Sequence, residues 1–136
     1  MKRFIPQALA VALLVLAAAV LTTGAVAANH RGAAVKLGHS SLGRIIVDSR
    51  GRTLYLFAHD RHGKSSCYGM CAAYWPPLIT HGKPRAILGA RGALIGTARR
   101  KDGRMQVTYN RHPLYYYSGD SRPGQEIGRA SCRERV

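Results

Sequence analysis

Apolar positions follow three patterns along the chain. From Ala8 to Leu21 they run almost unbroken, from Val35 onward short apolar runs alternate with polar connections, and two of those runs are apolar on both faces. The alternating part predicts strands. Val35 to Leu37 is a short apolar segment ended by Gly38, His39, Ser40 and Ser41. Arg44 to Asp48 and Thr53 to Phe57, rich in β-branched and aromatic residues, flank a glycine-containing connection, which is a hairpin signal. A second set follows downstream. Leu94 to Ala98 leads into the turn dipeptide Asp102-Gly103. Met105, Val107 and Tyr109 then alternate with Gln106 and Thr108, the period of a half-buried strand. After Asn110, Arg111 and His112 the chain enters Pro113 to Tyr117. Each set reads as a three-stranded antiparallel meander.

The third strand of each meander lacks a polar face. Leu54 and Leu56 oppose Tyr55 and Phe57, and Leu114 and Tyr116 oppose Tyr115 and Tyr117. Such strands are covered on both sides, so the meanders are expected to pack together or join in one sheet. The two sets are also copies. Gly51 to Asp60 and Arg111 to Asp120 share Leu, Tyr, any residue, aromatic, two residues, Asp, and Gly43 to Asp60 lies over Gly103 to Asp120 without a gap. An internal repeat accounts for this. The expected organisation is a signal peptide over 1–27 and one mainly β domain over 28–125. Within it, repeat one spans about 34–60, the linker 61–91 and repeat two about 92–120. In the linker, His59 to Ser66 is polar and loop-like. Cys67 to Tyr74 reads as a short helix stopped at Trp75-Pro76-Pro77, because a residue before proline is pushed out of the helical region. Leu78-Ile79 reads as a short strand, and Thr80 to Arg85 as loop.

Export changes how the rest is read. Lys2 and Arg3, the apolar run and the small-residue site Ala25-Val26-Ala27 form a signal-peptide pattern, with retention as an uncleaved membrane anchor as the alternative. The chain carries 21 Lys and Arg against 6 Asp and Glu, and residues 28–125 keep 16 against 4. A net charge of this size favours polyanions. Export turns that expectation from nucleic acid towards anionic envelope polymers or lipid headgroups. Coding bias in a GC-rich genome accounts equally well for 16 Arg against 5 Lys. The segment from Glu126 to Val136 resembles the translation of a sequencing-library adapter, so 126–136, with Cys132, reads as an artefactual tail and is set aside.

Three groups of residues invite a chemical reading. Cys67 and Cys71 have C-x3-C spacing. On a helical turn their Cα atoms stand roughly 6 Å apart, within disulfide range, and an oxidising compartment favours a bridge. Tyr55, Phe57 and Asp60, with Tyr115, Tyr117 and Asp120, are the repeated set. Structurally the aromatics fill the core and each Asp closes a turn by accepting backbone N–H bonds. Functionally, two carboxylates facing each other across a pseudo-twofold would bind a cation or act as an acid/base pair. Repetition favours architecture, because sites tend to be unique. His59, His62 and Met70, near the cysteines, form a set whose softness suits copper; bridging would remove the thiolates, leaving solvated loop histidines. No nucleophile elbow, phosphate loop or zinc spacing is present.

With GRTLYLFAHD, SSCYGMCAAYWPPL and KDGRMQVTYNRHPLYYYSGDSRPG in this order, the chain resembles the predicted bacterial lipoproteins with the Yx(FWY)xxD motif, a secreted repeat family of unknown function, over about Leu42 to Gln125. The resemblance implies an exported, envelope-associated protein and no particular activity. The chain departs from the family in lacking a lipobox cysteine. It also has Asn110-Arg111 where members often have Asn-Gly. The tail replaces a Trp-containing end, which implies a missing last strand and an exposed edge. The expected role is a non-enzymatic, cationic binding or structural module of the envelope. The alternative is a copper-binding or redox accessory protein using His59, His62, Met70 and the cysteines.

Overall fold

In the computed structural model, which describes residues 32–129, the alternating runs become strands of two sheets. The signal-like segment 1–27, the four residues after it, and 130–136 with Cys132 lie outside the described residues. In repeat one, β1 (Ala34–Ser40) and β2 (Gly43–Asp48) form a hairpin, from Val35 opposite Asp48 to Ser40 opposite Gly43. In repeat two, β5 (Ile95–Arg99) and β6 (Met105–Tyr109) form its counterpart, and β7 (His112–Pro113) pairs with β6. The linker supplies a helix, α1 (Met70–Tyr74), and two short strands. Of these, β3 (Ile79–Thr80) joins β6 antiparallel, whereas β4 (Arg85–Ala86) joins β1 in parallel. The linker is thus stitched into both sheets, in the orders β2-β1-β4 and β3-β6-β5.

Several expectations need correction. Gly38 to Ser40 do not end the first strand; β1 runs through them, and a Cβ on Gly38 would come within 3.0 Å of the Val47 side chain. Glycine here lets two strands approach closely. Helix α1 begins at Met70, not Cys67, because Gly69 has φ of 57°, outside the right-handed helical region. It ends at Tyr74, as the prolines require. Gln106 and Thr108 are buried, not exposed, because β6 is paired along both edges and covered on both faces. The repeats also differ by one residue in their hairpins: Leu54 N–H donates to Ile46 O, whereas Leu114 N–H donates to Val107 O.

The third strands depart furthest from the meander expectation. Thr53 to Phe57 and Leu114 to Tyr117 form isolated bridges, Val47 with Thr53, Pro77 with Tyr115, and Tyr55 with Tyr115, in place of continuous ladders. The two segments keep these few bonds to their own hairpins and pair with each other at Tyr55 and Tyr115, and their two faces then enter different cores, with Leu56 left exposed. On one face Leu54 and Leu114 pack with Val35, Leu78 and Val107. On the other, Tyr115 packs with Trp75 and Cys67, flanked by Tyr55, Phe57 and Tyr117. Each core draws on both repeats and the linker, so neither repeat has an apolar interior of its own. No helix among the described residues is long and apolar enough to cross a membrane.

Candidate functional site

Tyr55 and Tyr115 are equivalent residues of the two copies, and they meet. Tyr55 N–H donates to Tyr115 O at 2.8 Å and Tyr115 N–H to Tyr55 O at 2.9 Å, the mutual exchange of an antiparallel pair. From this junction each tyrosine reaches the aspartate of the other copy. The Tyr115 hydroxyl donates to Asp60 Oδ2 and the Tyr55 hydroxyl to Asp120 Oδ2, each at 2.6 Å. Within its own copy, Asp60 N–H donates to Phe57 O at 3.2 Å and Asp120 N–H to Tyr117 O at 3.1 Å. The spacing of the repeated set follows from these bonds. The Asp closes a turn on the aromatic three residues before it and presents its carboxylate to the phenol from the other repeat.

The aromatics of the set surround Trp75. Tyr55 and Phe57 meet its ring edge-on at 5.3 and 5.1 Å, and Tyr117 lies at 4.7 Å. Such pairs add to the stabilisation from burial alone. Burial first, and then the hydrogen bond to a carboxylate, pushes the Tyr55 and Tyr115 phenols above their ordinary value. Both are held as neutral donors. Tyr116 is raised as well, by burial and then by Asp48, whose Oδ2 accepts its hydroxyl at 2.9 Å.

The surroundings of the two carboxylates differ. Asp60 is buried, and its Oδ1 accepts Ser66 N–H at 2.8 Å and the Ser66 hydroxyl at 2.7 Å. Its partner phenol lies 2.7 Å from Ser65 Oγ, which in turn accepts Arg100 Nη1 at 2.9 Å. The Arg100 side chain is buried too. Its guanidinium also donates to Gln106 Oε1 at 2.7 Å and to Cys67 O at 2.8 Å, while Nε faces Asp102 at 3.6 Å without a hydrogen bond. Asp120 is only half-buried, and its Oδ1 accepts Ile127 N–H at 2.9 Å. Sequence reasoning expected each Asp to close its turn by accepting backbone N–H bonds, whereas the turns are closed by the Asp N–H groups donating and the carboxylates accept Ser66 and Ile127 N–H further along. It missed the phenols, Ser65, Ser66, Arg100 and Gln106, because 100–104 reads as an exposed charged hairpin and nothing local shows Arg100 turning inward.

The Cys67 and Cys71 sulfurs are joined at 2.03 Å, with Cα atoms 5.3 Å apart, pinning α1 against Trp75. Cys67 is buried and Cys71 exposed. Of the residues considered for copper, His59, Met70 and the bridged Cys71 line one open cleft of about 860 Å³ with Phe57, Tyr74, Trp75 and Tyr117. His62 lines a different hollow, of about 240 Å³, with Asp60, Gly63, Asn110, Arg111 and His112. Among the described residues, no group of three or more His, Cys, Asp or Glu side chains stands close enough to hold a metal ion.

A family model described as a secreted repeat of unknown function matches residues 36–79 and 96–131, one match per repeat and together more than half the chain. The second match extends past Glu126, where the adapter-like segment begins. No curated protein and no solved structure matches the chain.

Proposed function

Because the chain belongs to the secreted-repeat family of unknown function, we propose that it works outside the cytoplasm as a non-enzymatic binding module for anionic polymers of the cell envelope. The observation that carries this reading is where its carboxylates go. All four aspartates of residues 28–125 are committed to bonds within the fold. Asp48 accepts Arg50 and Arg52 N–H and the Tyr116 hydroxyl. Asp60 and Asp120 accept the tyrosines, and Asp102 is bonded by Arg104, which lowers it to about 2. Three of the four are thereby drawn into the interior or its margin. Of the basic residues Arg100 is buried and Lys36 and Arg52 are half-buried, whereas Arg44, Arg50, Arg61, Lys83, Arg91 and Arg122 are among those exposed. The outer surface is therefore more positive than the composition alone suggests, the arrangement that attracts polyanions and releases their counterions.

The test is retention on anionic cell-wall material as ionic strength is raised. Retention should be strong at low salt and fall steeply as salt screens the charges. Retention indifferent to salt, or none at low salt, would remove the reading. On this account the repeated Tyr, aromatic and Asp build the scaffold, and ligand contact belongs to the surface around it.

A further inference from the structure

Two tight turns, one at the start of the linker and one in repeat two, meet tip to tip beside Asp60. Arg61 and Lys64 are bridged across His62-Gly63, whose φ angles are 53° and 73°. Tyr109 and His112 are paired across Asn110-Arg111, with φ of 47° and 67°. Positive φ at both central positions is the signature of a type I′ turn, where glycine and asparagine are favoured. The tips touch closely enough that a Cβ on Gly63 would lie 3.3 Å from Arg111 O. Three of the four non-glycine residues with positive φ among the described residues, His62, Asn110 and Arg111, stand around this one hollow.

From this we infer that the hollow lined by His62, Asn110, Arg111 and His112 is a phosphate-binding site, and that it is the focus of the polyanion binding proposed above, on which it rests. Three observations support it. Arg111 occupies, against strain, a position that glycine would hold freely, and backbone strain kept in place concentrates at functional sites. The side chains that line or flank the hollow are guanidinium, ammonium, imidazole and amide groups, all donors suited to phosphate oxygens. The one carboxylate at the hollow is turned to other work: Asp60 Oδ2 accepts Tyr115 and Oδ1 accepts Ser66. That leaves Arg61, Lys64 and Arg111 as the exposed charges around the hollow.

The decisive variant is Arg111→Gly, which removes the donor and relieves the turn, so the protein keeps or gains thermal stability. Lys83→Gln, with the same charge loss at an exposed site elsewhere, is the control. Binding to poly(glycerol phosphate) should weaken roughly tenfold in Arg111→Gly and about twofold or less in Lys83→Gln. Titration with inorganic phosphate should move amide resonances at 60–64 and 109–112. Equal losses in the two variants, or phosphate shifts spread over the whole surface, would overturn the localised site while leaving a diffuse cationic surface standing. No binding by the unaltered protein at low salt would overturn both. A parallel measurement with vesicles of phosphatidylcholine and phosphatidylglycerol in equal parts assigns the phosphate. Tighter binding to the polymer points to an envelope phosphodiester, and tighter binding to the vesicles to a lipid headgroup; either supports the site if Arg111→Gly weakens that binding well beyond the loss seen in Lys83→Gln.

Discussion

The Tyr115–Asp60 and Tyr55–Asp120 bonds have the same length, 2.6 Å, and different surroundings. Around Asp60 the carboxylate is buried, Ser66 fills its other oxygen, and Ser65, Arg100 and Gln106 continue the network inward. Around Asp120 the carboxylate is half-buried and, among the described residues, its second oxygen is met by Ile127 N–H. A repeated motif thus delivers the same pair of bonds twice, but what each bond contributes depends on the shell that the unrepeated linker and hairpins build around it. A hydrogen bond to a charged group is worth more, and costs more to break, where water cannot replace the lost partner.

The largest effect should come from removing the buried carboxylate. Asp60→Ala removes the carboxylate that accepts the Tyr115 hydroxyl and the Ser66 N–H and hydroxyl, and should cost about 3 kcal/mol of unfolding free energy, against about 1 kcal/mol for Asp120→Ala. Denaturant titration of the two variants measures the difference, and equal losses would erase the distinction between the two sites. Next in size, replacing Cys67 and Cys71 together by Ala should cost about 2 kcal/mol, as expected for a short closed loop. The loss should fall on the Asp60 side, because Arg100 binds the Cys67 carbonyl. Hydrogen exchange should therefore rise at 65–67 and 100 more than near Asp120.

A smaller effect, graded with pH, comes from the phenols. Tyr55, Tyr115 and Tyr116 are raised in the folded state above the ordinary tyrosine value of about 10. Above that pH the unfolded chain releases protons that the folded chain keeps, so stability is fully present below about pH 10 and declines as pH rises further. Ultraviolet titration should show these three phenols ionising only as the fold is lost. If all seven tyrosines ionise together near pH 10 in the folded protein, the buried pairing is wrong.

The parts of the molecule legible in the sequence are those written in short-range periodicity. The opposed Leu and Tyr positions of 53–57 and 114–117 announced two covered faces; the structure gives each face its own core but leaves Leu56 exposed. Trp75-Pro76 marked the end of the helix, while its start, expected at Cys67, lies at Met70. The exchange between repeats was not legible, since the partners of each phenol lie 55 and 65 residues away. Nor was the burial of Gln106, because alternation along a strand cannot show that its second face is also covered. The hollow beside Asp60 escaped for the same reason. His62 and Arg111 sit in separate turns, and only the fold brings them together.

A double-mutant cycle tests the central claim, that the motif is a lock between the repeats, most directly. Tyr115→Phe and Asp60→Asn, made singly and together, should show a coupling of about 1–2 kcal/mol in unfolding free energy. The same cycle on Tyr55 and Asp60, the pair within one motif, should show coupling near zero. Coupling between Tyr55 and Asp60 with additivity between Tyr115 and Asp60 would contradict the exchange and return the motif to a self-contained unit.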